Sequence, residues 1–214
     1  MPPADQILNG LREIANNWKV ISILWHFYLG VFLIILALGL RPSTRLAGSL
    51  LVLPLLSVSI FAWLTPNPVN GMVFALVGVG LLLIAFRMSH DRVRIASRRF
   101  MIPGAILAAF GWIYPELLDT PSFVPYLYSA PTGVIPCATL IILIGFALIL
   151  DGLDSRGFCT LLGVIGLLYG VMGVAYLRIT SDGMLIISAI SILIFAIAIK
   201  KRNPASGKVV VGAQ

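Results

Sequence analysis

Apolar residues in this chain come in long runs, and polar residues are confined to the short stretches between them. A run of about 16 residues or more, at 1.5 Å per residue, approaches the thickness of a hydrocarbon layer and predicts a transmembrane helix. Helix is the form expected because a span in lipid must satisfy its own backbone hydrogen bonds. The runs are too long and too evenly apolar for barrel strands. Seven spans are predicted, at 20–40, 46–64, 72–86, 100–118, 134–150, 158–177 and 184–199. Pro54 inside the second run predicts a kink, while Pro103 and Pro136 fall in first turns, where proline is tolerated. The fold class expected is an all-α integral membrane bundle.

Ahead of the first span, residues 1–19 are mixed. Ile7, Leu8, Leu11 and Ile14 fall on one helical face behind Asp5, a candidate cap. That pattern predicts an amphipathic helix on the bilayer surface. Residues 200–214 are expected to form a polar tail after a seven-helix domain at 20–199.

Charge orients the spans. The stretch 87–99 (RMSHDRVRIASRR) holds five arginines and one acid between two apolar runs. Short basic loops stay cytoplasmic. With that loop inside, alternation puts the amino terminus outside and the carboxyl terminus inside. Arg41, Arg45, the five loop arginines, Arg156, Lys200, Lys201, Arg202 and Lys208 are then inside, and Arg12, Lys19 and Arg178 are outside. This bias points to the inner membrane of a cell. Trp18, Trp25, Trp63 and Trp112 all fall near outer helix ends, as an interfacial belt or as the walls of an outward pocket.

Composition adds little beyond this. Charged residues make up 11% of the chain, against about 25% in soluble domains, so no soluble domain is expected. The net charge of +7 reads as the positive-inside bias plus attraction to anionic lipid heads, not as a nucleic-acid footprint. A cleavable signal peptide is not expected, because the first apolar run is too long for a signal core.

Candidate chemistry is sparse. No predicted helix centre carries Asp, Glu, Lys or Arg, which argues against a proton relay, and the seventh span has no lysine for a retinal Schiff base. His26, two turns into the first span, and Glu116, at the outer end of the fourth, form a candidate polar pair in the outer leaflet. Haem ligation by two histidines would need a second one in the membrane, and His90 lies in the basic loop. Cys137 and Cys159 fall at opposite ends of neighbouring spans, out of disulfide reach and unsuited to a thiol metal site. Phosphate-loop, zinc and nucleophile-elbow motifs are absent. No cofactor, metal or catalytic residue is therefore expected, and the chain does not read as an enzyme. The sixth span carries Gly163, Gly166, Gly170 and Gly173 within an arc of about 80°, a ridge on which another helix can pack closely. That helix could belong to this bundle or to another subunit.

Three stretches carry a resemblance: NPVNGMVF at 67–74, APTGVIPC at 130–137, and 178–183 before the last span. In order and spacing they resemble an uncharacterised family of bacterial multi-pass membrane proteins, a domain of unknown function. The family pattern has a second proline after the cysteine, where this chain has Ala138. The resemblance implies the membrane fold and no activity.

An internal repeat is also expected. Aligning Asn70-Gly71-Met72 with Asp182-Gly183-Met184 places Arg45 and Arg156 before matching spans, and Arg87 and Lys200 after them. Spans one to three then match five to seven in parallel, a 3+1+3 plan with the fourth as linker. Two functional classes follow. One is a non-catalytic accessory or scaffold subunit, with the bilayer and other membrane subunits as partners. The other is a small transporter or channel for an uncharged or amphipathic solute. In that case Ser57, Ser59, Tyr169 and Ser188 would line a cavity between the halves.

Overall fold

Caps and prolines set the helix ends. Ser43 accepts a hydrogen bond from the Leu46 amide and starts α3 (Thr44–Leu64). Asn67 caps the Asn70 amide ahead of α4 (Pro68–Phe86), with Pro68 in the first turn. Ser155 caps the Phe158 amide and starts α8 (Arg156–Ala175). Each side chain satisfies an amide that the helix itself leaves unpaired. The computed structural model describes residues 3–65 and 67–202, with side chains as far as Ile199. The remaining helices are α1 (Ala4–Asn17), α2 (Lys19–Ala37), α5 (Arg98–Trp112), α6 (Tyr126–Ser129), α7 (Pro136–Ile149) and α9 (Gly183–Arg202). Among the described residues there is no strand, only an isolated bridge between Ser43 and Arg92.

Five helices are long and apolar enough to cross a membrane: α2, α3, α4, α8 and the segment Thr180–Ile199 that contains α9. The other two expected spans are shorter than predicted. The fourth, expected to reach residue 118, stops at Trp112. Pro115 accounts for this, since it lacks an amide donor and pushes Tyr114 out of the helical region. Because α5 begins at Arg98, Pro103 lies inside the helix and not in its first turn. The fifth span is the 14-residue α7, about 21 Å long at 1.5 Å per residue.

The short helix α7 is the centre of the molecule. It packs against α3, α5, α8 and α9, and every residue from Pro136 to Leu148 is buried. The irregular stretch 130–135 that leads into it is also buried. Backbone of that kind is tolerated at membrane depth only inside protein. Lipid is as apolar as leucine, so helices gain little from burying leucine and must associate by close packing. Here α5 and α7 meet through glycines. A Cβ on Gly145 would lie 2.5 Å from the Ala108 nitrogen, and one on Gly111 would lie 2.6 Å from the Ile142 nitrogen.

Hairpins flank this centre. The α3–α4 and α8–α9 pairs each begin at a serine cap and pack along their lengths. The helices that precede them do not share one placement, as a three-helix repeat would require. Whereas α7 is enclosed, α2 is peripheral, with Phe27 72% and Ile34 59% exposed.

Loops assigned to the same side by charge meet in the structure. At one end the Thr44 amide donates to Asp91 O at 2.8 Å, Val93 to Pro42 O at 2.9 Å and Ala96 to Ile149 O at 2.9 Å. At the other end Tyr169 donates to Asn70 at 2.8 Å, and Ser181 to Glu116 at 2.9 Å. Between the ends runs a belt of exposed apolar side chains, including Leu76 on α4, Val164 and Leu168 on α8, and Ile187, Ile190, Ile194 and Ile197 on α9. Surface of this kind suits lipid.

The amino-terminal helix is amphipathic as expected, with two differences. It starts after Pro3 without a side-chain cap, so Asp5 lies within the first turn. Its apolar face, Leu11, Ile14 and Ala15, is buried in the protein core and not spread on the bilayer. Asn16 fixes it there by donating to Leu117 O at 2.9 Å and accepting from the Asp119 amide at 3.0 Å.

Candidate functional site

The end of the bundle away from the arginine loop holds a sealed polar cluster around Asp182. This residue sits in the one-turn 3-10 helix Thr180–Asp182, which leads into α9. Its backbone is held back toward α8, with its amide donating to Ile179 O and the Ile179 amide to Gly173 O. One carboxylate oxygen accepts from the Tyr114 hydroxyl at 2.6 Å and the other from the Cys137 thiol at 3.2 Å. Asp182 and Tyr114 are fully buried and Cys137 is 7% exposed. The three residues come from the α8–α9 connection, the segment after α5 and the first turn of α7.

Local sequence explains each placement. Pro115 ends α5 early and turns Tyr114 inward. Pro136 at the start of α7 puts Cys137 at the positive end of that helix, where a carboxylate is favoured. Gly173 provides the room: a Cβ there would overlap the Asp182 carboxylate. Both flanking connections carry left-handed backbone at non-glycine residues, Leu117 (φ 76°) and Arg178 (φ 57°). Each such residue costs on the order of 1–3 kcal/mol, which the surrounding contacts must outweigh.

Chemically the cluster is a carboxylate with two donors, with a second acid, Glu116, held beside it by Ser181. Reactive cysteines sit in electropositive, partly exposed surroundings, whereas Cys137 faces an acid in a closed interior. The arrangement can fasten three segments together or hold a proton. It presents no nucleophile to solvent. Among the described residues no three of His, Cys, Asp and Glu group as metal ligands.

The expected His26–Glu116 pair does not form. His26 points its Nδ1 at Ser22 O and its Nε2 at Trp112 O, both at 2.8 Å, and stands edge-on to the Trp112 ring. Glu116 instead accepts from Ser181, next to the Asp182 cluster. Ending α5 at Trp112 separates the two residues, because Glu116 then leaves on the following turn while the α5 terminus stays against α2.

The glycine ridge of α8 faces α9 within the same chain. Added Cβ atoms would meet Leu193 at Gly163, Ala189 and Leu185 at Gly166, Ile186 at Gly170 and Asp182 at Gly173. Gly166 also approaches Ile144 of α7. Cys137 and Cys159 are both free and buried.

The polar residues expected around a cavity are hydrogen-bonded within the protein. Ser57 accepts from Trp25 Nε1, Ser59 donates to Gly71 O, Tyr169 to Asn70 and Ser188 to Met184 O. Two surface clefts lie elsewhere. One, at the basic end, is bounded by Thr44, Arg87, Ser89 and Asp154. The other is an apolar groove of about 350 Å³ along α2, closed by Trp112, Leu127 and Tyr128.

Sequence reasoning missed Asp182 because it counted the residue in a loop. The available signal was Asp182 lying nine residues after Gly173, the last glycine of a ridge. The glycines that join α5 to α7 were legible in principle as Gly104 and Gly111, one heptad apart. No family model matches this chain, and neither the curated proteins nor the solved structures provide a match.

Proposed function

We propose that this chain is a seven-span protein of the cell's inner membrane, with its amino terminus outside and carboxyl terminus inside. In this reading it acts without catalysis, as an accessory or scaffold subunit of a membrane complex. The observation that carries the reading is the closed centre: α7 is enclosed from Pro136 to Leu148, and Ser57, Ser59 and Tyr169 are spent on internal hydrogen bonds. A subunit that works by presenting surfaces needs such a rigid interior, and its lateral apolar belt is free to meet lipid or other helices. Seven spans require α5 and α7 to complete the crossing together with their irregular extensions, 113–118 and 130–135. The orientation rests on the arginines gathered at one end.

A transporter or channel for an uncharged or amphipathic solute is the second reading. One feature favours it: a short central helix entered through buried irregular backbone is a plan that transporters use for binding sites. Purification in mild detergent separates the two. A stoichiometric complex with other membrane proteins is expected. A lone monomer or homo-oligomer that carries solute across a vesicle membrane overturns the scaffold reading.

A further inference from the structure

The cleft at the arginine end of the bundle holds two opposite charges that do not meet. It lies between the start of α3, the end of α4 and the start of α8, and encloses about 300 Å³. Arg87 lines it directly after Phe86, an exposed apolar residue, so the cleft straddles the edge between apolar and polar surface. Asp154 lines the same cleft. Among the described residues these two side chains form no ion pair, with each other or elsewhere.

Strained backbone holds the acid in place. Asp151, Gly152, Leu153 and Asp154 are all left-handed, with φ of 52°, 66°, 55° and 50°. Non-glycine residues keep such backbone only where their surroundings over-determine it. Here Leu153 is buried beside Gly48 of α3, while Asp154 stays exposed at the cleft.

The donors around the cleft are only partly used. Thr44 donates to Ser89 O, and Ser89 Oγ meets Thr44 Oγ1 and the Asp91 amide, so both hydroxyls are engaged. Ser155 Oγ accepts from the Phe158 amide, which leaves its proton for another acceptor. Beside it the Arg156 and Gly157 amides, the first two of α8, have no acceptor among the described residues. With the forked guanidinium of Arg87 these donors suit a phosphate. Asp154 would repel a bare phosphate. A ligand that carries both a phosphate and an ammonium satisfies the two sides at once. The rest of the wall, Ile84, Met88 and Leu153, is apolar, and a Cβ on Gly157 would meet only Ile84, at 3.8 Å.

We propose that this cleft binds the head group of an aminophospholipid of the phosphoethanolamine type. Arg87, the Ser155 hydroxyl and the first amides of α8 take the phosphate, Asp154 takes the ammonium, and the acyl chains leave over Ile84. The proposal rests on the reading of the chain as a multi-pass membrane protein. It holds for a scaffold and for a transporter alike.

The test uses the full chain, delipidated in mild detergent, with bound lipid counted by native mass spectrometry. Dioctanoyl phosphatidylethanolamine is titrated against the choline and glycerol lipids of the same chain length. Saturable binding is expected, about tenfold tighter for the ethanolamine lipid, the factor for one charge-assisted hydrogen bond. Asp154→Asn should bring the ethanolamine lipid down to the glycerol lipid, and Arg87→Gln should weaken all three. Both residues are exposed, so both variants should fold. Arg94→Gln, exposed on the arginine loop but outside the cleft, should change nothing. Equal binding of the three lipids, or a preference that survives Asp154→Asn, overturns the proposal. An Arg94→Gln effect equal to that of Arg87→Gln reduces the binding to general surface charge and overturns the site. Free phosphoethanolamine or inorganic phosphate binding as tightly as the lipid overturns the lipid as occupant. A protein that leaves cell membranes on carbonate washing overturns the membrane reading instead.

Discussion

Tyr114 donates a 2.6 Å hydrogen bond to Asp182, joining the end of α5 to the start of α9 across 68 positions of sequence. Both residues are closed off from solvent, so the bond cannot be exchanged for one to water. Tyr114→Phe should therefore lower stability by about 1–3 kcal/mol, the cost of leaving a buried acceptor unpaired. The measurement is thermal unfolding of the purified protein in detergent. Gly173→Ala should be worse, because the new methyl overlaps the carboxylate. In an Asp182→Ala background the same glycine change loses its clash, so the two effects should be less than additive. Strict additivity would mean that Gly173 does not make room for Asp182.

Glycine positions should divide sharply by what a Cβ would meet. Gly145→Ala places a methyl 2.5 Å from the Ala108 nitrogen, a backbone atom that cannot swing aside, and should destabilise by about 1–3 kcal/mol. Gly10→Ala meets nothing within 4 Å and sits within α1, so it should be neutral or gain about 0.5–1 kcal/mol from helix propensity. If the two substitutions shift the melting temperature alike, the α5–α7 contact is not as close as the structure has it.

Topology can be read with single cysteines in the otherwise native chain, because Cys137 and Cys159 are buried. His90 and Phe123 are exposed at opposite ends of the bundle. An impermeant thiol reagent on intact cells should label Phe123→Cys and spare His90→Cys. The reverse pattern would invert the orientation. Labelling of both from one side would remove the bilayer from between the two loops.

Asn16 adds polar bonds to the apolar docking of α1. Asn16→Ala removes the bonds to Leu117 O and the Asp119 amide, each worth about 0.5–1.5 kcal/mol. Limited trypsin digestion in micelles should then cut faster after Arg12, which is already exposed. No change in rate would show that Leu11, Ile14 and Ala15 hold the helix without Asn16.

By itself, the sequence determined that the chain is helical and roughly where its long apolar helices lie. Ser43, Pro68, Pro136 and Ser155 act on their own neighbours, so their effects are local and can be read without the fold. The arginine loop works the same way, since charge resists lipid whatever the packing. Tertiary structure alone decided which apolar helix faces lipid and which faces protein. Hydropathy cannot separate α2 from α7, because a lipid tail and a leucine side chain are equally apolar surroundings. Only the packing of α3, α5, α8 and α9 around Pro136–Leu148 makes α7 the core. The same packing drew Asp182 into the interior, because Gly173, Tyr114 and Cys137 converge there from three distant segments. It also separated His26 from Glu116, by ending α5 at Trp112 and turning the acid toward Ser181.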